Sequence, residues 1–119
     1  MRVPPIVVSG LLAVFASVAL APSAQATREA VVYLTATGFS PASAVIAVGD
    51  RVRFTVRDHK AHQLAKTRGP NSGEVAPNVL EGQGQSVTLA PVEVGTYRYT
   101  DRLNPSQPEF RLTVGAPRR

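Results

Sequence analysis

Two histidines are the residues of this 119-residue chain whose types and spacing most suit metal chemistry. His59 and His62 lie three residues apart in the segment that reads DHKAH, which starts at Asp58. Imidazole nitrogens combined with a carboxylate oxygen suit Cu(II) and, less selectively, Zn(II) or Ni(II). Lys60 opposes such a site because its positive charge stands between the two rings, and residues three apart in a loop need not converge.

The chain contains no cysteine. This absence excludes a disulfide-stapled scaffold, a zinc ribbon, an iron–sulfur protein and any thiol nucleophile. It contains no nucleophile-elbow sequence, phosphate loop or paired-carboxylate motif, and a single loop histidine is more often structural than catalytic. We therefore predict that the protein is not an enzyme.

Basic side chains form the second candidate site. The net charge is +5, and three arginines, Arg51, Arg53 and Arg57, alternate with apolar residues along one segment. Arg98 and Arg111 would extend this basic surface if their strands shared a sheet with it. An anionic envelope polymer or a lipid headgroup would suit such a patch, and so would an unidentified protein partner. Ordinary solvation of a strand face is the alternative. Nucleic acid is not expected, because the aromatic residues are predicted to point inward.

These side chains must be positioned by strands, because apolar residues recur with a period of two. In Arg51–Arg57 every second residue is apolar, which is typical of a half-buried strand. Other short apolar runs are separated by Gly, Pro, Asn and Asp, and no segment has helical periodicity over ten residues. Six or seven such strands predict an all-β, antiparallel sandwich or barrel formed by one domain. The predicted strands are 31–37, 45–48, 51–57, 62–65, 86–90, 96–100 and 109–114, with a long surface loop at 66–79.

The first 26 residues are predicted to be a secretory signal peptide. Met1 and Arg2 precede an uncharged apolar run, and Ala24–Ala26 forms a small-x-small cleavage signal. A membrane anchor is the alternative, but the run is shorter than the roughly 20 residues that a spanning helix needs. We therefore predict export to the periplasm or beyond, a mature chain that has no transmembrane segment and is monomeric, and a disordered tail at 117–119.

Three stretches resemble the cupredoxin superfamily of small blue copper proteins. The first is Gly38–Pro41 followed by Val48–Val52, which is similar to the family's entry strands. The second, Phe54–His62, is similar to the strand and loop that end at the first copper histidine. The third, Gly95–Tyr99, is similar to the family's GTYxY motif ahead of its ligand loop. The resemblance implies a Greek-key β-sandwich over residues 27–116, in which His62 is the first ligand position.

The resemblance also implies that the family's other copper ligands are missing. Aligned on GTYxY, Asp101 stands at the cysteine position, Asn104 at the histidine position and Gln107 at the methionine position. Because a type 1 site requires a cysteine and two imidazoles, we expect no cofactor and predict a binding or interaction module that does not carry electrons. The alternative is a non-blue copper-binding protein that uses His62 with His59 and Asp101.

Overall fold

A computed structural model describes residues 27–118 of the chain. These residues form eight β-strands and no helix, which confirms the all-β prediction. The strands are β1 (Glu29–Thr35), β2 (Gly38–Ser40), β3 (Ser43–Ala47), β4 (Arg51–Val56), β5 (Leu64–Arg68), β6 (Ser86–Leu89), β7 (Gly95–Asp101) and β8 (Phe110–Gly115).

The strands form a sandwich of two four-stranded sheets. The first sheet has the order β2-β1-β4-β6, and the second sheet has the order β3-β8-β7-β5. Each sheet contains one parallel pair, β1 with β4 and β3 with β8, while the other neighbours are antiparallel. The predicted sandwich is therefore confirmed, but its sheets are mixed where antiparallel pairing was expected. The chain passes from one sheet to the other after each strand from β2 to β6, so most neighbouring strands are not consecutive in the chain.

Aromatic residues from both sheets fill the space between them. Phe54 of the first sheet meets Phe110 of the second edge to face, with ring centroids 5.3 Å apart. Tyr97 and Tyr99 of β7 are both fully buried, as the alternation predicts. Because close-packed aromatic rings bury large apolar areas, this cluster is the main stabilising contact between the sheets.

The segment between β5 and β6 is braced against the second sheet. The Tyr99 hydroxyl donates to the Gly73 carbonyl oxygen at 2.9 Å, and the Tyr97 hydroxyl lies 2.7 Å from the Ser72 hydroxyl. Gly73 has a positive φ of 77°, and a Cβ at this position would stand 2.8 Å from the Tyr99 hydroxyl oxygen. The predicted loop at 66–79 begins too early, because β5 continues through Arg68 in its pairing with β7.

The end of the described chain is held against the start of β4. Arg118 donates from both terminal guanidinium nitrogens to Asp50, at 2.6 and 2.5 Å. Asp50 also accepts the backbone N–H groups of Ala47 and Arg28. Arg118 and these N–H groups hold the pKa of the Asp50 carboxyl well below its usual range. The tail predicted to be disordered at 117–119 is thus anchored at Arg118.

The predicted signal peptide at 1–26 lies outside the described residues. Across the part of the chain that the structure describes, no helix has the length and apolar character needed to cross a membrane.

Candidate functional site

One end of the sandwich collects buried charged residues around His62. Asp101 is the last residue of β7 and pairs with Leu64, the first residue of β5. His62 precedes β5 and forms a two-way backbone bridge with Leu80, with N···O distances of 2.9 and 2.8 Å. These pairings fix both backbones, so the His62 ring and the Asp101 carboxylate meet although 39 residues separate them in the chain.

Both ring nitrogens of His62 are hydrogen-bonded to carboxylates. Nδ1 lies 2.5 Å from Asp101 Oδ2, and Nε2 lies 2.7 Å from Asp58 Oδ1. The side chains of His62 and Asp101 are 1% and 2% exposed, and that of Asp58 is 17% exposed. A ring that donates from both nitrogens is an imidazolium, which has no lone pair to offer a metal ion.

The electrostatics of this triad agree with its geometry. Desolvation lowers the pKa of His62, but the hydrogen bonds and charges of Asp58 and Asp101 outweigh it and raise the pKa above its ordinary value of 6.5. Desolvation raises the pKa values of the two carboxyls, but their hydrogen bonds outweigh it and lower both. At pH values below the raised pKa of His62, the triad therefore holds one positive charge between two negative charges.

Asp101 also fastens the loop that follows β7. Its Oδ1 accepts the backbone N–H groups of Gln63 and Leu103 at 3.0 and 3.1 Å. Its Oδ2 accepts the side-chain amide of Asn104 at 2.9 Å, in addition to His62. With four hydrogen bonds, the Asp101 carboxylate links the segment around His62 to the loop that follows β7.

The remaining predicted site residues lie apart from the triad. Gln107 donates its amide to the Ala36 carbonyl oxygen at 2.8 Å, which ties the loop to the first sheet. His59 is exposed, and among the described residues it makes no hydrogen bond or ion pair. The structure thus brings His62 and Asp101 together, as the resemblance implied, and leaves His59 outside.

Sequence reasoning missed Asp58 as a member of the site. Asp58 lies four residues before His62 in the sequence, but the spacing of two residues in a loop does not determine whether the backbone brings their side chains together. Asp58 Oδ2 is buried and has no hydrogen-bond partner within residues 27–118.

The residues present do not fit a copper ion. Within residues 27–118, no group of three or more His, Cys, Asp or Glu side chains is arranged to hold a metal. The cleft beside His62, lined in part by Phe39 and Gln107, has no room for a water molecule. Both ring nitrogens of His62 are already hydrogen-bonded to carboxylates, which leaves Asp58 Oδ2 as a single unpartnered donor atom, and one carboxylate oxygen is too few to hold a copper ion.

The basic residues lie on opposite faces of the sandwich. Arg51, Arg53 and Arg57 belong to or follow β4 in the first sheet, whereas Arg98 and Arg111 lie on β7 and β8 in the second. The five arginines would form one patch only if their strands shared a sheet, and the structure places them in two sheets. Alternation along β4 correctly placed its own arginines, but it carries no information on which sheet a strand joins.

Comparison with known proteins supports the fold. The family model described as a cupredoxin-like domain matches residues 7–114. Among solved structures, oxidised plastocyanin from Dryopteris crassirhizoma is similar, with 21% identity and a TM-score of 0.60 over 71% of this chain and 99% of the plastocyanin. A reduced amicyanin variant has 22% identity and a TM-score of 0.56, over 71% of this chain and 80% of the amicyanin. At these identities the likeness establishes the fold alone. No curated protein matches the chain.

Proposed function

The chain belongs to the family of cupredoxin-like domains, and from that premise we propose that it is an exported binding protein, neither an electron carrier nor an enzyme. The observation that carries the proposal is the double engagement of His62. This residue stands at the first ligand position that the resemblance implied, and both of its ring nitrogens are bonded to carboxylates.

The loss of electron transfer follows from the chemistry of the donor set. A type 1 copper site needs a thiolate and two imidazoles in a trigonal arrangement. This chain has no cysteine and only two histidines, one of which is held as an imidazolium by Asp58 and Asp101. A further function must therefore rest on the surfaces that the sandwich presents.

Two features support the roles of export and binding. The first 26 residues have the three-part pattern of a secretory signal peptide. In addition, the loops at the His62 end are fixed by the protein's own charges and hydrogen bonds, so the scaffold is rigid without a bound group. A rigid two-sheet scaffold with free outer faces suits recognition of a partner.

The alternative function, non-blue copper binding by His62, His59 and Asp101, requires the triad to be taken apart. A copper ion at His62 would have to displace a proton and one carboxylate from a ring that is 1% exposed. The exposed His59 is outside the cluster. The geometry therefore favours the binding protein.

Copper titration tests the proposal. The purified protein, the His62→Ala variant and the matched His59→Ala variant are titrated with Cu(II) and Cu(I) against a competing chelator, and visible spectra are recorded. We expect no visible thiolate-to-copper band and no binding tighter than that of denatured protein. Copper binding that requires the fold and disappears in His62→Ala, but not in His59→Ala, would overturn the proposal.

A further inference from the structure

Three arginines form a row across the outer face of the second sheet. The strand register places Arg68 of β5 opposite Arg98 of β7, and Arg98 opposite Arg111 of β8. We call these three residues the arginine row. Neighbouring strands lie about 4.8 Å apart, so the row spans about 10 Å. Sequence reasoning missed Arg68, because the predicted loop began before it.

The positive charge of this row is only partly compensated. Glu109 lies 4.0 Å from Arg98, and its other oxygen accepts the Thr67 hydroxyl at 2.7 Å. Within residues 27–118, Arg68 and Arg111 make no side-chain hydrogen bond or ion pair. Like charges directly opposite each other across strands are destabilising, so the row lowers the stability of the fold. Such a cost points to a binding role for these side chains.

Two of the three arginines on or just after β4 have a side-chain partner within the protein, whereas Arg51 has none among residues 27–118. Arg53 pairs with Glu29 at 3.3 Å, and the Arg57 guanidinium lies 4.1 Å from the centre of the Tyr33 ring. Because a paired or stacked guanidinium must give up its partner to take a ligand, this face is the weaker candidate for an anion. We therefore prefer the second sheet as the basic binding site, although the sequence placed the candidate at β4.

The surroundings of the arginine row indicate the chemistry of its ligand. Outward positions beside it carry hydroxyl groups, from Thr67 on β5, Thr96 and Thr100 on β7, and Thr113 on β8. The exposed large apolar residues next to this sheet within residues 27–118 are Val45 on the edge strand β3, Val94 just before β7 and Leu103 just after it, and none of them is aromatic. The face therefore offers arginine and hydroxyl donors, no aromatic stacking platform and only scattered apolar side chains.

We propose that the arginine row binds a linear acidic polysaccharide. Guanidinium groups take carboxylates in bidentate geometry, and the threonine hydroxyls exchange hydrogen bonds with the sugar hydroxyls. A nucleic acid strand would need aromatic side chains on which to stack its bases, and a peripheral membrane site would need apolar residues to insert. The proposal rests on the proposed role as an exported binding protein and names the partner class.

Two triple variants with equal charge change test the proposal. The first replaces Arg68, Arg98 and Arg111 by Thr, and the matched control replaces Arg51, Arg53 and Arg57 by Thr. Binding to polygalacturonate is measured by affinity electrophoresis and calorimetry at fixed ionic strength with EDTA present. Dextran, phosphatidylglycerol vesicles and a thymidine oligonucleotide are the comparison ligands.

We expect polygalacturonate binding to weaken about 10- to 100-fold in the row variant and to remain within about threefold in the control, because three exposed ion pairs are lost in the first only. Equal weakening in both variants would overturn the proposal, since it would show attraction to net charge alone. Absence of polygalacturonate binding would also overturn it, as would stronger binding to the vesicles or the oligonucleotide.

This experiment tests polysaccharide binding independently of copper binding. The EDTA removes any contribution of a bound metal to polygalacturonate binding. If the protein binds copper through His62 and also binds polygalacturonate through the arginine row, the proposed function is contradicted and the polysaccharide proposal is supported. Circular dichroism and thermal unfolding of both triple variants confirm that the fold is retained.

Discussion

The His62 triad and the arginine row differ in how their charges are compensated. In the triad, one imidazolium lies between two carboxylates, and its ring is 1% exposed. In the row, three guanidinium groups lie side by side at the surface, and among the described residues only Arg98 has a carboxylate, that of Glu109, within 4.0 Å. An unpaired buried charge costs much folding free energy, so each charge of the triad needs its partner. Exposed charges are solvated by water, so the arginines of the row can remain unpaired at little cost.

This difference separates a buried, internally paired cluster from the exposed surface that we propose as a binding site. The triad occupies the end where the resemblance places the first copper ligand, but both ring nitrogens of His62 are hydrogen-bonded within the protein. The row lies on a sheet face and leaves donors free for a ligand. The protein thus has the family's fold, and the arginine row lies on a sheet face away from the His62 end.

Removal of His62 is expected to have the largest effect on stability. The His62→Leu substitution leaves Asp101 and Asp58 without their cation, and breaking a buried pair costs about 3–5 kcal/mol of unfolding free energy. Urea denaturation of both proteins measures the difference. A loss below about 1 kcal/mol, the size of an ordinary surface effect, would show that the triad does not stabilise the fold.

A double variant serves as the control for that substitution. In His62→Leu/Asp101→Asn the buried negative charge is removed together with the cation. We expect the combined loss to be clearly smaller than the sum of the two single losses, because the two groups interact directly. Additive losses would mean that the side chains act independently and that the contact at 2.5 Å has no energetic role.

Seven of the eight strands could be predicted from the sequence in place if not in length, but β2, at Gly38–Ser40, and the sheet assignment could not. Alternation in β4 and β8 is a local signal of burial, and it placed Phe54 and Phe110 in the core. Parallel pairing of β1 with β4 depends on contacts between distant segments, which a period of two does not encode. For the same reason Arg68 and Arg98 were not expected to be neighbours.

The site was predictable only as far as the resemblance reached. Alignment on GTYxY implied that Asp101 would come near His62, and the structure brings them together. Asp58 was missed because the turn of the backbone between it and His62 decides which ring nitrogen it can reach. His59 was proposed on spacing alone, and the same turn leaves it exposed.

The pH dependence of stability is expected to come next in size. The raised pKa of His62 means that its contribution is complete below about pH 6.5 and is lost as the pH rises through the folded-state pKa. The lowered pKa values of Asp58 and Asp101 mean that their contribution is present above about pH 4 and is lost in acid. The urea concentration at the unfolding midpoint should therefore decrease as the pH is raised from about 5.5 to about 9. This fall is smaller than the His62→Leu loss, because a neutral ring still fills its space.

The Asp58→Asn variant sharpens this measurement. Asparagine retains an oxygen that can accept from His62 Nε2, but it removes one negative charge. The pKa of His62 should then move back toward its ordinary value, and the alkaline fall in the urea midpoint should shift to lower pH. An alkaline profile identical to that of the unmodified protein would contradict the assignment of Asp58 to the triad.

The smallest predicted effect is that of replacing one exposed arginine by threonine, which should change the unfolding free energy in opposite directions on the two sheet faces. Arg111→Thr relieves repulsion from Arg98, so it should raise the unfolding free energy by about 0.2–1 kcal/mol. The same substitution at Arg53 removes the ion pair with Glu29 and should lower the unfolding free energy by about 0.2–1 kcal/mol. Both changes should shrink as salt is added, because screening weakens attraction and repulsion alike. If Arg111→Thr destabilises the protein at low salt as Arg53→Thr does, then the row is not strained by its own charge and the physical contrast between the two faces fails.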